Sequence, residues 1–214
     1  MPLDIKPLLA DNPLAFDDFY AIYQGAFPPC EQKSKDAILA IIESSSYTIF
    51  TAFADKKMVG FSIMYHPQND DFFLLEYIAT SPTQHSKGLG SSLLKQSMQI
   101  LFDTYGKRPL LIEIESLKYT ANEHERTIRH KRELFYRRLG ALKIDLLDYI
   151  FPLENGETPP LMEILIYAPN LGQITKTTLH TWLEKLYVNV YQCPKNDPRI
   201  TQMLAPLPET LTLI

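Results

Sequence analysis

The stretch from Asp71 to Lys95, DFFLLEYIATSPTQHSKGLGSSLLK, restricts the fold more than any other part of the chain. Residues 72–80 are apolar on both faces of a period-2 pattern except at Glu76, which predicts a central strand covered from both sides. Beyond the glycines, Leu93, Leu94, Met98, Leu101, Phe102 and Tyr105 share one stripe of a helix, and Gly106 is suited to end it. PLLIEIES then reads as a further strand. A strand, a helix and a strand over 72–116 demand a parallel pair, because a crossover returns the chain in its original direction.

The flanking segments add antiparallel strands and more helices. Residues 3–9 are a candidate first strand. FDDFYAIYQGAF and DAILAIIESS read as two helices separated by the prolines of FPPCEQ. YTIFTAFADKKMVGFSIMYH predicts a hairpin around ADKK. The segment from Ala121 to Gly140 predicts a helix with Asn122 as N-cap, Glu125 three residues later and Gly140 as the stop. ALKIDLLDYIF and LMEILIYA read as two strands around loop 152–160, and TTLHTWLEKLYVNVY as a last helix. The Pro-dotted residues from Pro194 on read as an arm or a poorly ordered tail. The expected class is α/β: a single domain with a mixed, largely antiparallel sheet, a central parallel strand pair and helices on both faces, plus a C-terminal helix. The expected division is a core domain over 1–168 and a helix with a Pro-containing tail over 169–214.

Composition narrows the function classes. A formal charge of −4 on 214 residues gives no footprint for nucleic-acid binding. Two cysteines, Cys30 and Cys193, do not make a disulfide framework, so a reducing compartment is expected. The start, MPLDIKPLLADNP, lacks a secretory pattern, and no apolar run is long enough to cross a bilayer. The expectation is a cytoplasmic protein acting without membrane or nucleic acid, as a monomer or homodimer. His124 and His130 lack metal-ligand spacing, and no metal is expected.

The glycine turn carries the chemistry. A strand feeding a helix leaves the first helical N–H groups unpaired, and these donors with the helix dipole favour an anion. Gly88 and Gly90 lack the Cβ atoms that would keep a phosphate from the backbone. Ser91 and Ser92 can add hydroxyls, and Lys87 a charge. The P-loop pattern is absent, and Leu93 stands where the dinucleotide fingerprint needs a third glycine.

His85-Ser86-Lys87-Gly88-Leu89-Gly90, with LFYRRLGA downstream, resembles two blocks of the GNAT acetyltransferases. The first block of that family has Arg or Gln where His85 stands, and the second has an aromatic residue where Ala141 stands. The resemblance covers roughly residues 3–168. It implies that acetyl-CoA is the co-substrate. Its pyrophosphate would lie on the backbone from Lys87 through Gly88, Leu89 and Gly90 to Ser91, beside His85. Its pantetheine arm would pair with the strand at Ile78 and Thr80. It also implies that Tyr136 protonates the departing thiolate.

A protonated amine cannot attack a thioester, so a base is needed. Glu76, the one carboxylate in an apolar strand, should be desolvated and suited to accept a proton. Glu113 matches a glutamate of the protein-N-terminal branch of the family, and Glu115 shares its strand face. A water held by both Glu76 and Glu113 is a further candidate. Arg126, Arg129 and Arg132 could face substrate or CoA phosphates, and Phe27, Tyr65 and Tyr149 are candidate pocket walls. The implied function is acetyl transfer from acetyl-CoA to a primary amine of a small molecule or protein. The alternative is an acyl-CoA-binding sensor or scaffold without turnover.

Overall fold

The computed structural model describes residues 3–81, 88–118, 120–152 and 161–214. The chain divides into two compact units, Met1–Arg108 and Pro109–Ile214.

In the first unit β1 (Asp4–Pro7), β2 (Tyr47–Ala54), β3 (Lys57–Tyr65) and β4 (Phe73–Thr80) form successive antiparallel ladders. The β2–β3 turn uses Asp55 and Lys56, both at positive φ (50° and 65°), the conformation that fits a tight hairpin to the strand twist. Helices α1 (Pro13–Ala26) and α2 (Lys35–Glu43) start at side-chain caps, Asn12 and Ser34. Their apolar stripes, including Phe16, Phe19, Tyr23 and Ile38, pack with Ile49, Phe61 and Ile63. Helix α3 (Leu89–Tyr105) packs Leu89 and Leu93 with Leu3, Ala52 and Val59. Its Ser97 shares a buried hydroxyl hydrogen bond of 2.9 Å with Ser62 of β3. Phe61 and Ile63 meet the α1–α2 cluster while Ser62 between them meets α3, so the period-2 alternation puts helices on both faces of these strands.

In the second unit β5 (Leu110–Glu115) and β6 (Leu142–Lys143) both pair antiparallel with β7 (Met162–Tyr167). Helix α4 (Glu123–Arg138) has Asn122 as its cap, accepting from the Glu125 N–H at 2.9 Å. It is followed by Gly140 at φ +99°. Both strands expected to bracket the crossover are therefore present, one in each unit.

Two expectations need correction. The strand predicted over 141–151 is reduced to Leu142–Lys143 with isolated bridges at Ile144 and Tyr149. Leu146 turns to φ +63°, and the preceding residues pair instead with the C-terminus: the Lys143 N–H donates to Ile214 O and the Asp145 N–H to Thr212 O. The residues after Pro194 are not a loose arm. They form α6 (Pro198–Leu204) and β9 (Thr210–Thr212), and β9 pairs with β8 (Gln173–Thr175). Burial of Ile200, Met203, Leu204, Leu207, Leu211 and Leu213 explains why a proline-dotted segment folds. The last predicted helix divides into α5 (Lys176–Lys185) and a π-helical turn, Leu186–Val190. Among the described residues no helix is long and apolar enough to cross a membrane.

Candidate active site

In the first unit the chemistry collects on β4. The β3–β4 register shifts between Ile63, opposite Tyr77, and Met64, opposite Leu75, leaving Glu76 without a partner residue. This is a bulge, and a bulge can turn two consecutive side chains toward one side of a strand. That is the outcome here. Tyr77 stacks edge-on against Tyr23 of α1 at 5.3 Å, and Glu76 meets Lys33, whose own N–H donates to the Tyr23 hydroxyl at 2.7 Å. The Lys33 Nζ lies 2.8 Å from Glu76 Oε1. The Glu76 side chain is only 7% exposed, and its Oε2 is buried with no hydrogen bond among the described residues.

Burial pushes the Glu76 carboxyl above its ordinary 4.5, with the Lys33 charge opposing. Desolvation holds the hydroxyls of Tyr47 and Tyr77 above their ordinary values, with the Glu76 charge adding at Tyr47 and the neighbouring Tyr23 and then Glu76 adding at Tyr77. Phe27 packs edge-on against Tyr77 at 5.0 Å and completes an aromatic wall with Tyr23. Tyr65 packs tilted against Tyr47 and donates to Asp70 at 3.3 Å, so it belongs to the interior of the unit. Lys33 and Tyr23 were not singled out from sequence. Lys33 lies in an aperiodic loop, where nothing in the pattern pairs it with a strand 43 positions away.

The turn that follows β4 presents a backbone site. Gly88 caps α3 at φ 71°, ψ 10°, a left-handed conformation, and supplies no side-chain cap. Among the described residues, a Cβ built there would meet nothing within 4 Å. The Ser92 N–H already donates to Gly88 O at 3.0 Å. The N–H groups of Leu89, Gly90 and Ser91 have no carbonyl within the helix to bond. A glycine that admits close approach and three helix-start donors together fit a pyrophosphate. Ser92 Oγ accepts from Gln96 Nε2 at 2.8 Å. His85 and Lys87 lie outside the described residues. Ile78 packs its side chain with the α3 cluster, and Thr80 is half-buried opposite Gly60.

In the second unit Glu113 of β5 is held through both carboxylate oxygens. Tyr149 donates to Oε1 at 2.5 Å, and Tyr191 donates to Oε2. Burial, then the Glu113 charge, pushes the Tyr149 hydroxyl well above its ordinary value. Tyr149, expected as a pocket wall, is thus a carboxylate partner, and Tyr191 comes from the turn after the π-helical residues. Glu115 pairs with Arg132 at 2.6 Å and with Arg129 at 3.4 Å, while Arg129 also donates to Ser116 O at 3.0 Å. These two arginines are therefore engaged with β5 and its end, and Arg126 pairs on the surface with Glu123 at 3.6 Å.

Tyr136 of α4 is buried, and its hydroxyl is pushed up to about 12 by burial, with Arg132 opposing. It makes no hydrogen bond to Glu113 among the described residues. Sequence reasoning also passed over Glu163, which accepts from Ser116 Oγ and Lys143 Nζ at 2.7 Å each and closes a polar cluster inside the unit. Of the expected site residues, Glu76, Ile78 and Thr80 share β4, and Glu113 is joined to tyrosines that the sequence does not link to it.

The family model for GNAT-family acetyltransferases matches residues 16–125 of this chain. No curated protein sequence matches it. Among solved structures, a GNAT-family protein from Bacteroides thetaiotaomicron is 21% identical, with a TM-score of 0.70 over 89% of this chain and 99% of the other. The ribosomal-protein-S18-alanine N-acetyltransferase of Escherichia coli is 21% identical, with a TM-score of 0.55 over 79% and 99%. A GNAT acetyltransferase of Elizabethkingia anophelis, solved with acetyl-CoA bound, is 19% identical, with a TM-score of 0.52 over 77% and 96%.

Proposed function

Because this chain belongs to the GNAT acetyltransferase family, we propose that it transfers the acetyl group of acetyl-CoA to a primary amine of a small molecule or protein. The observation that carries this reading is the pairing on one strand–turn–helix segment of a buried carboxylate, Glu76, with an uncapped left-handed glycine, Gly88. Acetyl-CoA supplies the activated acyl group. The N–H groups of Leu89, Gly90 and Ser91 would hold its pyrophosphate, assisted by His85 and Lys87, and the backbone at Ile78 and Thr80 would hold its pantetheine amides.

Glu76 is the base. Desolvation raises its proton affinity, so it accepts a proton from an ammonium more readily than an exposed carboxylate does. Its bulge position aims it at the face that carries Lys33 and the aromatic wall of Tyr23, Phe27 and Tyr77, where a protonated amine would meet both a negative charge and ring faces. Tyr136 supplies a proton to the leaving sulfur, since its phenol stays protonated at neutral pH. Glu113, clamped by two phenols, is the second candidate for that base. The protein would act in the cytoplasm, with the domain of 1–168 carrying catalysis.

The test is free-thiol release from acetyl-CoA across a broad panel of amines. Amine-dependent release that falls in Glu76→Gln supports the reading. Thermal stabilisation by acetyl-CoA with no release for any amine would leave a binding protein. No stabilisation and no release would remove the function altogether.

A further inference from the structure

Glu76 already has an amine against it, and that amine belongs to the chain. We propose that Lys33 is a self-acetylation site, its ε-amine taking the acetyl group when no other acceptor is bound; the inference rests on the acetyl-CoA reading of β4 and its turn.

Three observations carry it. The Lys33 Nζ is 2.8 Å from Glu76 Oε1, within proton-transfer distance of the proposed base. The Lys33 side chain is 27% exposed, so it is partly sheltered from water but not sealed in the interior. The segment that carries it is pinned. The Lys33 N–H donates to the Tyr23 hydroxyl at 2.7 Å, the neighbouring Gln32 Nε2 donates to Phe27 O at 2.6 Å, and Tyr77 donates to Glu31 O at 2.8 Å. A nucleophile fixed beside its base reacts as if at high local concentration, whereas a lysine on a free surface does not.

The transfer balances as follows. Lys33 gives a proton from its ammonium to Glu76. The freed lone pair attacks the thioester carbonyl carbon, and a C–N bond forms as the C–S bond breaks. The nitrogen sheds a second proton, and the sulfur leaves as the thiol. One ammonium and one thioester become one amide, one thiol and one proton released to water. The acetyl-lysine carries no charge, so Glu76 loses its counter-ion and its burial goes unopposed.

The molecule contains its own control. Lys143 and Glu163 form a second sheltered pair with nearly the same geometry, 2.7 Å apart and 21% and 7% exposed, but on β6 and β7. If reactivity came from sheltered lysine–glutamate pairing alone, Lys143 would react as fast as Lys33.

The experiment incubates the full chain with acetyl-CoA and no added amine and follows each lysine by peptide mass spectrometry, alongside the melting temperature. The expected result is acetylation of Lys33 about tenfold or more faster than of Lys143 or the exposed Lys35. Its first-order rate constant should not change with chain concentration, and Glu76→Gln should slow it by about tenfold or more while acetyl-CoA still raises that variant's melting temperature. Should Glu76→Gln fail to fold, the concentration series and the Lys33-to-Lys143 ratio of the unaltered chain decide alone. Stabilisation by acetyl-CoA with Lys33 unmodified, or modified no faster than Lys143, overturns this inference and leaves the cofactor reading standing. Absence of stabilisation overturns both.

Discussion

The Tyr191 hydroxyl donates to Glu113 Oε2 across 78 positions of sequence, tying the segment before α6 to the middle of β5. Tyr149 holds the other oxygen, so the two phenols share one carboxylate. Hydrogen bonds to a charged group are each worth about 1.5–3 kcal/mol. Tyr191→Phe and Tyr149→Phe are each expected to lower unfolding free energy by an amount of that order. Because they act on one group, their effects should not add, with a coupling of about 0.5–3 kcal/mol in a double-mutant cycle measured by urea unfolding. Strict additivity would mean that Glu113 is not the shared partner.

Gly88 and Gly60 should respond differently to alanine. At Gly88 the cost is conformational, about 1–2 kcal/mol for a left-handed residue, since nothing among the described residues crowds the new Cβ. At Gly60 the Cβ would come within 2.7 Å of Ala79 O, a backbone atom that cannot swing away, so β3 and β4 would have to part. Gly60→Ala should therefore show the lower melting temperature of the two. The reverse order would contradict the close approach of β3 to β4.

The pH dependence follows from Glu76 and Tyr136. As the proposed base Glu76 would work only when deprotonated, and burial raises its pKa, so the acid limb of the rate profile should lie above the ordinary carboxylate value of 4.5. As the proposed acid Tyr136 would work only when protonated, and with its pKa pushed up to about 12 it should produce no alkaline limb near neutrality. Tyr136→Phe is expected to lower kcat by about 10²–10⁴ while leaving the acid limb in place. A shifted acid limb in Tyr136→Phe would mean that the tyrosine acts through the base rather than on the leaving group.

What the sequence made legible follows from periodicity. The order of strands and helices, the caps at Asn122 and Gly140, and the strand-to-helix turn at Gly88 are local features, each encoded within one or two turns of chain. Glu76 stood out because a single charge interrupted an apolar strand. Its bulge did not, since a register shift depends on the partner strand and leaves no mark in β4 itself. The partners of Glu76 and Glu113 were equally hidden. Lys33 lies in a loop and Tyr191 beyond a π-helical turn, and tertiary packing alone brings them to their carboxylates. The tail after Pro194 misled because its prolines suggest an extended arm, whereas its buried leucines and Ile200 fold it onto the second unit.

The most direct test is a calorimetric titration of acetyl-CoA into the unaltered chain and into Gly88→Val, which places a branched side chain beside the helix-start donors. The account predicts a saturable one-site isotherm for the unaltered chain and an affinity at least about tenfold weaker, about 1.4 kcal/mol, for the folded variant. An isotherm that Gly88→Val leaves unchanged, or no heat of binding in the unaltered chain, would contradict it.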